Sequence, residues 1–378
     1  MELEDLADRP CPAWYAKPQL GIFVHWGIFS VPAWAPRGAS ITELARTDYD
    51  HLNARSPYAE WYWNAMRLPG SETAAHHAAT YGDRPYESFR PEFDAAAEAF
   101  DVDAWADQFA ASGAGYVVFV TKHHDGYCLW PTTVAHPHRP NWFSKRDFVG
   151  ELAEAVRARG LRFGVYYSGG LDWTFEPTPI ATIGDMLAAV PVSEAYQHYA
   201  DAQVRELIAR YSPSVVWNDI AWPNEAPLAA LFADYYAAAP EGVVNDRWAG
   251  ALTRFAALRD PTRRTAFDTA LKARLAVVGE LETPPPRHCD FRTVEYSAGH
   301  GMGAKKWEST RGMGLAFGYN RNERPEDFMT AEALTGLYDA VTSRGGNLLL
   351  NVGPRADGAI PEVQAALLNA LGAHIGKG

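Results

Sequence analysis

The chain has 378 residues, 47% of them hydrophobic, which is enough for one large core, and α/β barrels commonly reach this length as a single domain. A formal net charge of −12 at pH 7, with no long cluster of Lys or Arg, argues against nucleic acid or an anionic membrane as a partner. Three cysteines (Cys11, Cys128, Cys289) without CxxC spacing imply neither a disulfide framework nor a zinc site, and no apolar run reaches membrane-spanning length.

In chain order, the acidic start Met1-Glu2-Leu3-Glu4-Asp5 lacks the apolar segment of a secretion signal, so a soluble, cytoplasmic protein is expected. Residues 20–26 read as the first buried strand, which delivers His25 to a glycine-ended turn. An aromatic-rich excursion follows and contains Glu60-Trp61-Tyr62-Trp63. A helix is predicted over 102–112, with Trp105 and Phe109 one turn apart and Gly113 as its stop. The second strand, 116–121, runs into Lys122-His123-His124-Asp125-Gly126. Asp147 can cap a helix that continues through Val149, Leu152 and Val156 to Gly160.

The third strand is 162–168, and its alternation assigns Phe163, Val165 and Tyr167 to a helix layer and Gly164, Tyr166 and Ser168 to a barrel interior. A long helix begins near Ser193. Val215-Val216-Trp217-Asn218-Asp219 is an apolar run that stops at a carboxylate, the pattern of a parallel strand buried on both faces. A helix over 228–239 leads to a strand at 243–247 that ends in Arg247. Residues 249–290 break the repeat, mix helix formers with Arg pairs and include Pro284-Pro285-Pro286, so an irregular insertion or flap is predicted there. Strands at 293–296, 314–319 and 347–351 complete a set of eight. The alternation predicts a (β/α)8-like barrel as one domain over 1–378. An open doubly wound sheet ranks second, because no Gly-rich phosphate loop follows any strand.

His25, His123, His124, Tyr166, Trp217, Asp219, Arg247 and Glu295 all fall at predicted strand ends. A lone strand-end histidine has an ordinary structural explanation, and Asp219 can also be read as a helix cap. Many strands ending in polar groups are different, since reacting groups of α/β barrels gather on the carboxyl-end rim. Two carboxylates on different strands, Asp219 and Glu295, are what a glycosidase needs: one attacks, the other protonates the leaving oxygen. The aromatic share of 13% suits sugar faces, although most rings will serve the core. A metal is not expected: there is no HxH or HExxH, and His123 and His124, adjacent on a strand, point to opposite faces. No Gly-x-Ser-x-Gly elbow is present. A metal-dependent barrel hydrolase and a catalytically silent carbohydrate-binding barrel remain as alternatives.

Longer motifs narrow the choice. They are Trp14-Tyr15 with Lys17, Gly21-Ile22-Phe23-Val24-His25-Trp26-Gly27, Glu60-Trp61-Tyr62, and Lys122-His123-His124-Asp125-Gly126. Further along come Tyr166-Tyr167-Ser168, Trp217-Asn218-Asp219, Asn245-Asp246-Arg247-Trp248 and Glu295-Tyr296. The last are Phe317-Gly318-Tyr319-Asn320 and Gly346-Asn347-Leu348-Leu349-Leu350-Asn351. In this order they span nearly the whole chain, which resembles the α-L-fucosidase family of retaining glycoside hydrolases. The resemblance implies a barrel-like catalytic domain, no cofactor, and fucosylated oligosaccharides or glycoconjugates as partners, with self-association left open. It implies Asp219 as the nucleophile and Glu295 as the acid/base, with Glu308 as the fallback acid/base. His25, Glu60, His123, His124, Tyr166 and Arg247 match groups that hold sugar hydroxyls or the carboxylates. Trp61, Trp217 and Phe317 match the apolar walls around the fucose methyl. The family's C-terminal β-sandwich is not expected within these 378 residues, and the 249–290 segment is longer than the family's usual link.

Overall fold

The computed structural model describes residues 3–6, 9–278, 286–299 and 305–376. Its strands are β1 (Leu20–Val24), β2 (Tyr116–Lys122), β3 (Arg162–Tyr167), β4 (Val215–Asn218), β5 (Val243–Val244), β6 (Arg292–Glu295), β7 (Trp307–Gly312) and β8 (Asn347–Val352). They form one sheet in the order β5-β4-β3-β2-β1-β8-β7-β6, and every neighbouring pair is parallel. Parallel neighbours need crossovers, and capped helices supply them. Asp101 caps Val102–Ala111, Asp147 caps Phe148–Ala158, and Ser193 caps Glu194–Tyr211, each by accepting an N–H of the first turn.

The two end strands share no ladder, yet the ring is closed. Asp290 donates its N–H to Val244 O (2.9 Å) and accepts the Val244 N–H on its carboxylate (2.7 Å). Arg9 and Tyr236 also bind that carboxylate. The barrel therefore has seven ladders, and the β5–β6 seam is bridged by one backbone bond and by side chains, Asp290 and Asp246, whose carboxylate accepts the Thr293 N–H (3.1 Å).

Alternation along the strands separates two cores. Phe23, Val118, Val120, Tyr166, Val215, Trp217 and Leu349 fill the interior. Ile22, Val117, Phe119, Phe163, Val165, Tyr167 and Leu350 pack outward against the helices. The split of β3 is the one its sequence predicts. Gly164 is required at its interior position, because a Cβ there would lie 2.7 Å from the Val215 side chain.

Three readings are corrected. The seventh strand is Trp307–Gly312, not 314–319. In the latter segment the N–H groups of Leu315 and Ala316 go to the Glu323 carboxylate and that of Gly318 goes to Glu60, so none is available for a ladder. Residues 251–278 are largely helical rather than irregular, with an 18-residue helix Pro261–Val278. Leu271 and Leu275 of that helix pack with Tyr49, while Asp268 accepts bonds from Tyr49 Oη, Thr182 Oγ1 and Gly184 N. Residues 279–285, with Pro284-Pro285, lie outside the described residues. Finally, β5 ends at Val244, because the Asn245 side chain takes over, accepting from Asn218 N and donating to Asn218 O.

Candidate active site

Asp219 is the first residue past β4, on the carboxyl rim. Its N–H still bonds Tyr167 O of β3 (3.2 Å), but the chain then turns sharply. Ile220 sits at φ +66°, where β-branched residues are rare, and donates its N–H to Asp219 Oδ1 (2.8 Å). Gly170 bonds the Asp219 carbonyl, and a Cβ there would stand 2.5 Å from the Ala221 nitrogen. A tight, locally strained turn thus fixes the direction of the carboxylate.

Tyr166 Oη donates to Asp219 Oδ2 (2.7 Å), and Arg247 NH1 donates to Asp219 Oδ1 (2.8 Å). The same guanidinium donates from NH2 to Glu295 Oε1 (2.6 Å) and from Nε to Thr293 Oγ1 (3.1 Å). It lies over the Trp217 ring, 4.8 Å from the centroid. Burial works against the Arg247 charge, but Glu295 and Asp219 outweigh it and hold the pKa above its usual range. The two carboxylates differ in access: the Asp219 side chain is 12% exposed and that of Glu295 35%. Asp219 is therefore the inner group and Glu295 the one at the mouth.

The histidines are held as neutral acceptors. Asn351 gives its amide N–H to Phe317 O and presents Oδ1 to His25 Nδ1 (2.6 Å), so that ring nitrogen carries the proton. Ser168 donates its hydroxyl to Leu171 O, so His124 Nδ1 must donate to Ser168 Oγ (2.6 Å). Its Nε2 is left bare, 3.9 Å from Asp219 Oδ2. Burial pushes His25 down to about 4 and His123 and His124 well below their usual value. His123 Nδ1 is buried without a partner. Its ring lies nearly parallel to Tyr166, at 5.9 Å.

Contrary to expectation, His123 and His124 do not diverge. β2 stops at Lys122, and in the turn beyond it the two ring centroids are 4.0 Å apart. Among the described residues, no three His, Cys, Asp or Glu side chains are arranged to hold a metal ion.

Trp61 packs edge-on to His124 (5.1 Å), Phe317 packs on His25 (5.1 Å), and Trp217 stacks on Tyr166 (5.5 Å). Buried Glu60 accepts Gly318 N–H (2.7 Å) beside Phe317, and burial pushes its pKa up to about 8 against that hydrogen bond. Every sequence-predicted site residue thus joins one contiguous cup. Glu308 does not. It is fully buried inside the barrel, where its carboxylate accepts from Tyr15, Tyr116 and Trp217 Nε1, and it pairs in register with Asn347 at the start of β8. The sequence reading missed Asn351, Ser168, Tyr58 and Tyr296 as members of the cup; Asn351 was findable, as a polar residue near the carboxyl end of β8.

A parallel barrel whose rim sets two carboxylates on one arginine, within neutral histidines and aromatic walls, has the architecture of a glycoside hydrolase. A sequence profile described as Alpha-L-fucosidase matches residues 1–377. The chain is 30% identical to the tissue alpha-L-fucosidase of Bos taurus over 383 residues, covering 97% of this chain and 68% of that protein. It is 30% identical to the alpha-L-fucosidase of Dictyostelium discoideum, covering 95% and 68%. Its structure resembles the Thermotoga maritima alpha-L-fucosynthase in complex with alpha-L-Fuc-(1-2)-beta-L-Fuc-N3 (TM-score 0.82, 42% identity, 98% of this chain and 75% of that one). A similar likeness holds to the Thermotoga maritima alpha-fucosidase in complex with a mechanism-based inhibitor (TM-score 0.78, 42% identity, 97% and 74%). The chain belongs to the alpha-L-fucosidase family of glycoside hydrolases.

Proposed function

We propose that the protein is a retaining exo-α-L-fucosidase that releases terminal α-L-fucosyl residues from oligosaccharides or glycoconjugates. The observation that carries this reading is Arg247, which hydrogen-bonds both carboxylates with one guanidinium. Carboxylates sharing one guanidinium are close neighbours, as a retaining pair at about 5–5.5 Å requires. In the first step an Asp219 oxygen bonds to the anomeric carbon while the glycosidic C–O bond breaks and Glu295 gives its proton to the leaving oxygen. In the second, water attacks that carbon, Glu295 takes a water proton, and the Asp219 ester bond breaks. Tyr166 and Arg247 hold Asp219 while its charge is consumed and restored. The bare nitrogens of His25 and His124 accept sugar hydroxyls, and Trp61, Trp217 and Phe317 enclose the C5 methyl.

A silent carbohydrate-binding barrel would have no use for an aimed, strained turn at Asp219. The test is hydrolysis of a chromogenic α-L-fucoside, followed by NMR of the anomer formed first. α-L-Fucose is expected, and β-L-fucose as the first product, or no hydrolysis, overturns the reading.

A further inference from the structure

A second cavity, about 380 Å³ and open to solvent, lies beside the cup and takes no part in the chemistry above. Tyr296, Arg311, Met313, Leu315, Phe328 and Met329 line it. Tyr296 is the shared wall. It follows Glu295 directly, leaves the strand at φ +51°, and turns its ring edge-on to Phe317 of the cup (5.8 Å). On its cavity side it carries Arg311, whose guanidinium carbon is 5.1 Å from the ring centroid. Through Tyr296 the cavity adjoins the candidate acid, Glu295, at the mouth of the cup.

Arg311 is the informative residue. It occupies the outward face of β7, paired in register with outward-facing Leu350. Its Nε donates to Gly312 O (3.1 Å), but its two terminal nitrogens have no hydrogen-bond partner among the described residues, and no carboxylate there forms an ion pair with it. The acid on the cavity wall, Asp327, is already engaged by two bonds from Arg37 (2.6 and 3.0 Å). Part-buried Arg157, by contrast, uses a terminal nitrogen on the Tyr211 and Ser212 carbonyls. The fork opens on the cavity and not on protein acceptors, which leaves it available to a ligand. The fork geometry matches a planar or tetrahedral oxyanion held by two parallel N–H bonds. Met313, Phe328 and Met329 supply apolar surface for the C–H face of a ring.

We propose that this cavity is a leaving-group subsite selecting an oxyanion, the carboxylate of an acidic sugar or a sulfate ester, on the saccharide to which fucose is attached. The inference rests on the α-L-fucosidase reading and on Glu295 facing the leaving group. An acidic aglycone would be gripped beside the residue that protonates its glycosidic oxygen.

The test uses matched fucosyl disaccharides over the common linkages, with galactose, its 6-carboxylate (a galacturonide) or its 6-sulfate as the second sugar, and an aryl α-L-fucoside as control. The readout is the ratio of kcat/KM for acidic over neutral partner within each protein, so that any general loss of activity cancels. A ratio of roughly tenfold is expected for the wild type on at least one linkage, the scale of a charge-assisted bidentate contact in a partly open site. It should fall to near one in Arg311→Gln and be partly kept in Arg311→Lys, which retains charge without the fork. The galacturonide and sulfate arms separate the two oxyanions. Cleavage of the aryl fucoside with a flat wild-type ratio, or a ratio unchanged by Arg311→Gln, overturns the subsite alone. No cleavage of the aryl fucoside overturns the α-L-fucosidase reading and the subsite with it. If Arg311→Gln does not fold, the wild-type ratio and the lysine variant decide.

Discussion

Asp219 and Glu295 share Arg247, and the proposed function gives them opposite tasks, so removing each should leave a different trace. Asp219→Gly abolishes the first step for any leaving group. Glu295→Gly should cost about 10²–10⁴-fold on natural substrates but far less on an activated aryl fucoside, whose phenolate leaves without a proton. Azide then separates them: the β-fucosyl azide is expected from the Asp219 variant and the α-azide from the Glu295 variant. The α product from the Asp219 variant would mean the roles are wrongly assigned. Glu60 gives a pH signature. Its folded pKa of about 8 lies above its ordinary 4.5, so between these values the unfolded chain releases a proton that the folded protein keeps. Stability should therefore fall as pH rises from about 4.5 to about 8. Glu60→Gln removes this contribution, and its Tm should decline less than that of the wild type over that window; parallel Tm curves would refute it. The carboxylates and Arg247 were legible in sequence because strand ends mark the rim. The pairs His25–Asn351 and His124–Ser168 were not, because a cross-strand hydrogen bond leaves no local pattern.

At the scale of elements, periodicity found the strands with continuous apolar runs and misplaced polar β7. β7 reads Trp-Glu-Ser-Thr-Arg-Gly, and of its polar residues Glu308 is bonded inside the barrel while Ser309 bonds Ser297 O, so no hydrophobic signal announces the strand. The apolar run at 314–319 looked more like a strand but had its N–H groups drawn off by two carboxylates. Glu308 shows the same limit: a buried carboxyl group with three donors is a structural group, and nothing in its sequence context marks its depth. The helix Pro261–Val278 was obscured by its Arg263-Arg264 pair, of which Arg263 is exposed and Arg264 ion-pairs Asp185 (3.0 Å). Its anchor is Asp268, with three donors from two other segments. Asp268→Ala should cost about 1–3 kcal/mol in denaturant unfolding. Its kcat on an aryl fucoside should stay within about twofold, since no group of the cup touches it; a large loss of kcat at unchanged stability would tie this helix to the chemistry.

For the molecule as a whole, the barrel presents one closed cup whose floor is aromatic, and that limits discrimination. A wall of Trp and Phe rejects an added hydroxyl only modestly, by about 10²-fold. α-L-Galactosides, which carry a hydroxyl on the C5 substituent, should be slow substrates rather than inert ones. Comparing kcat/KM for the two aryl glycosides measures this directly. A preference for the galactoside would place the methyl wall elsewhere.

The clasp at Asp290 bears on motion. A ring held by seven ladders and one seam bridged mainly by side chains should not breathe evenly: its easiest opening is expected between β5 and β6, and the stiffest arc on the far side, through β1 and β2. Arg247 follows one lip of that opening and Glu295 stands on the other. The salt bridge across the seam would thus be the first part of the cup to loosen, on the microsecond-to-second scale of local openings, while Asp219 stays on the stiffer wall with β3 and β4. Amide hydrogen exchange reads this out. The Val244 and Asp290 amides should exchange faster than those of Val118 and Phe119, and Asp290→Asn should widen the gap at the seam without touching the far arc. Uniform protection around the ring would show that the clasp is as firm as a ladder.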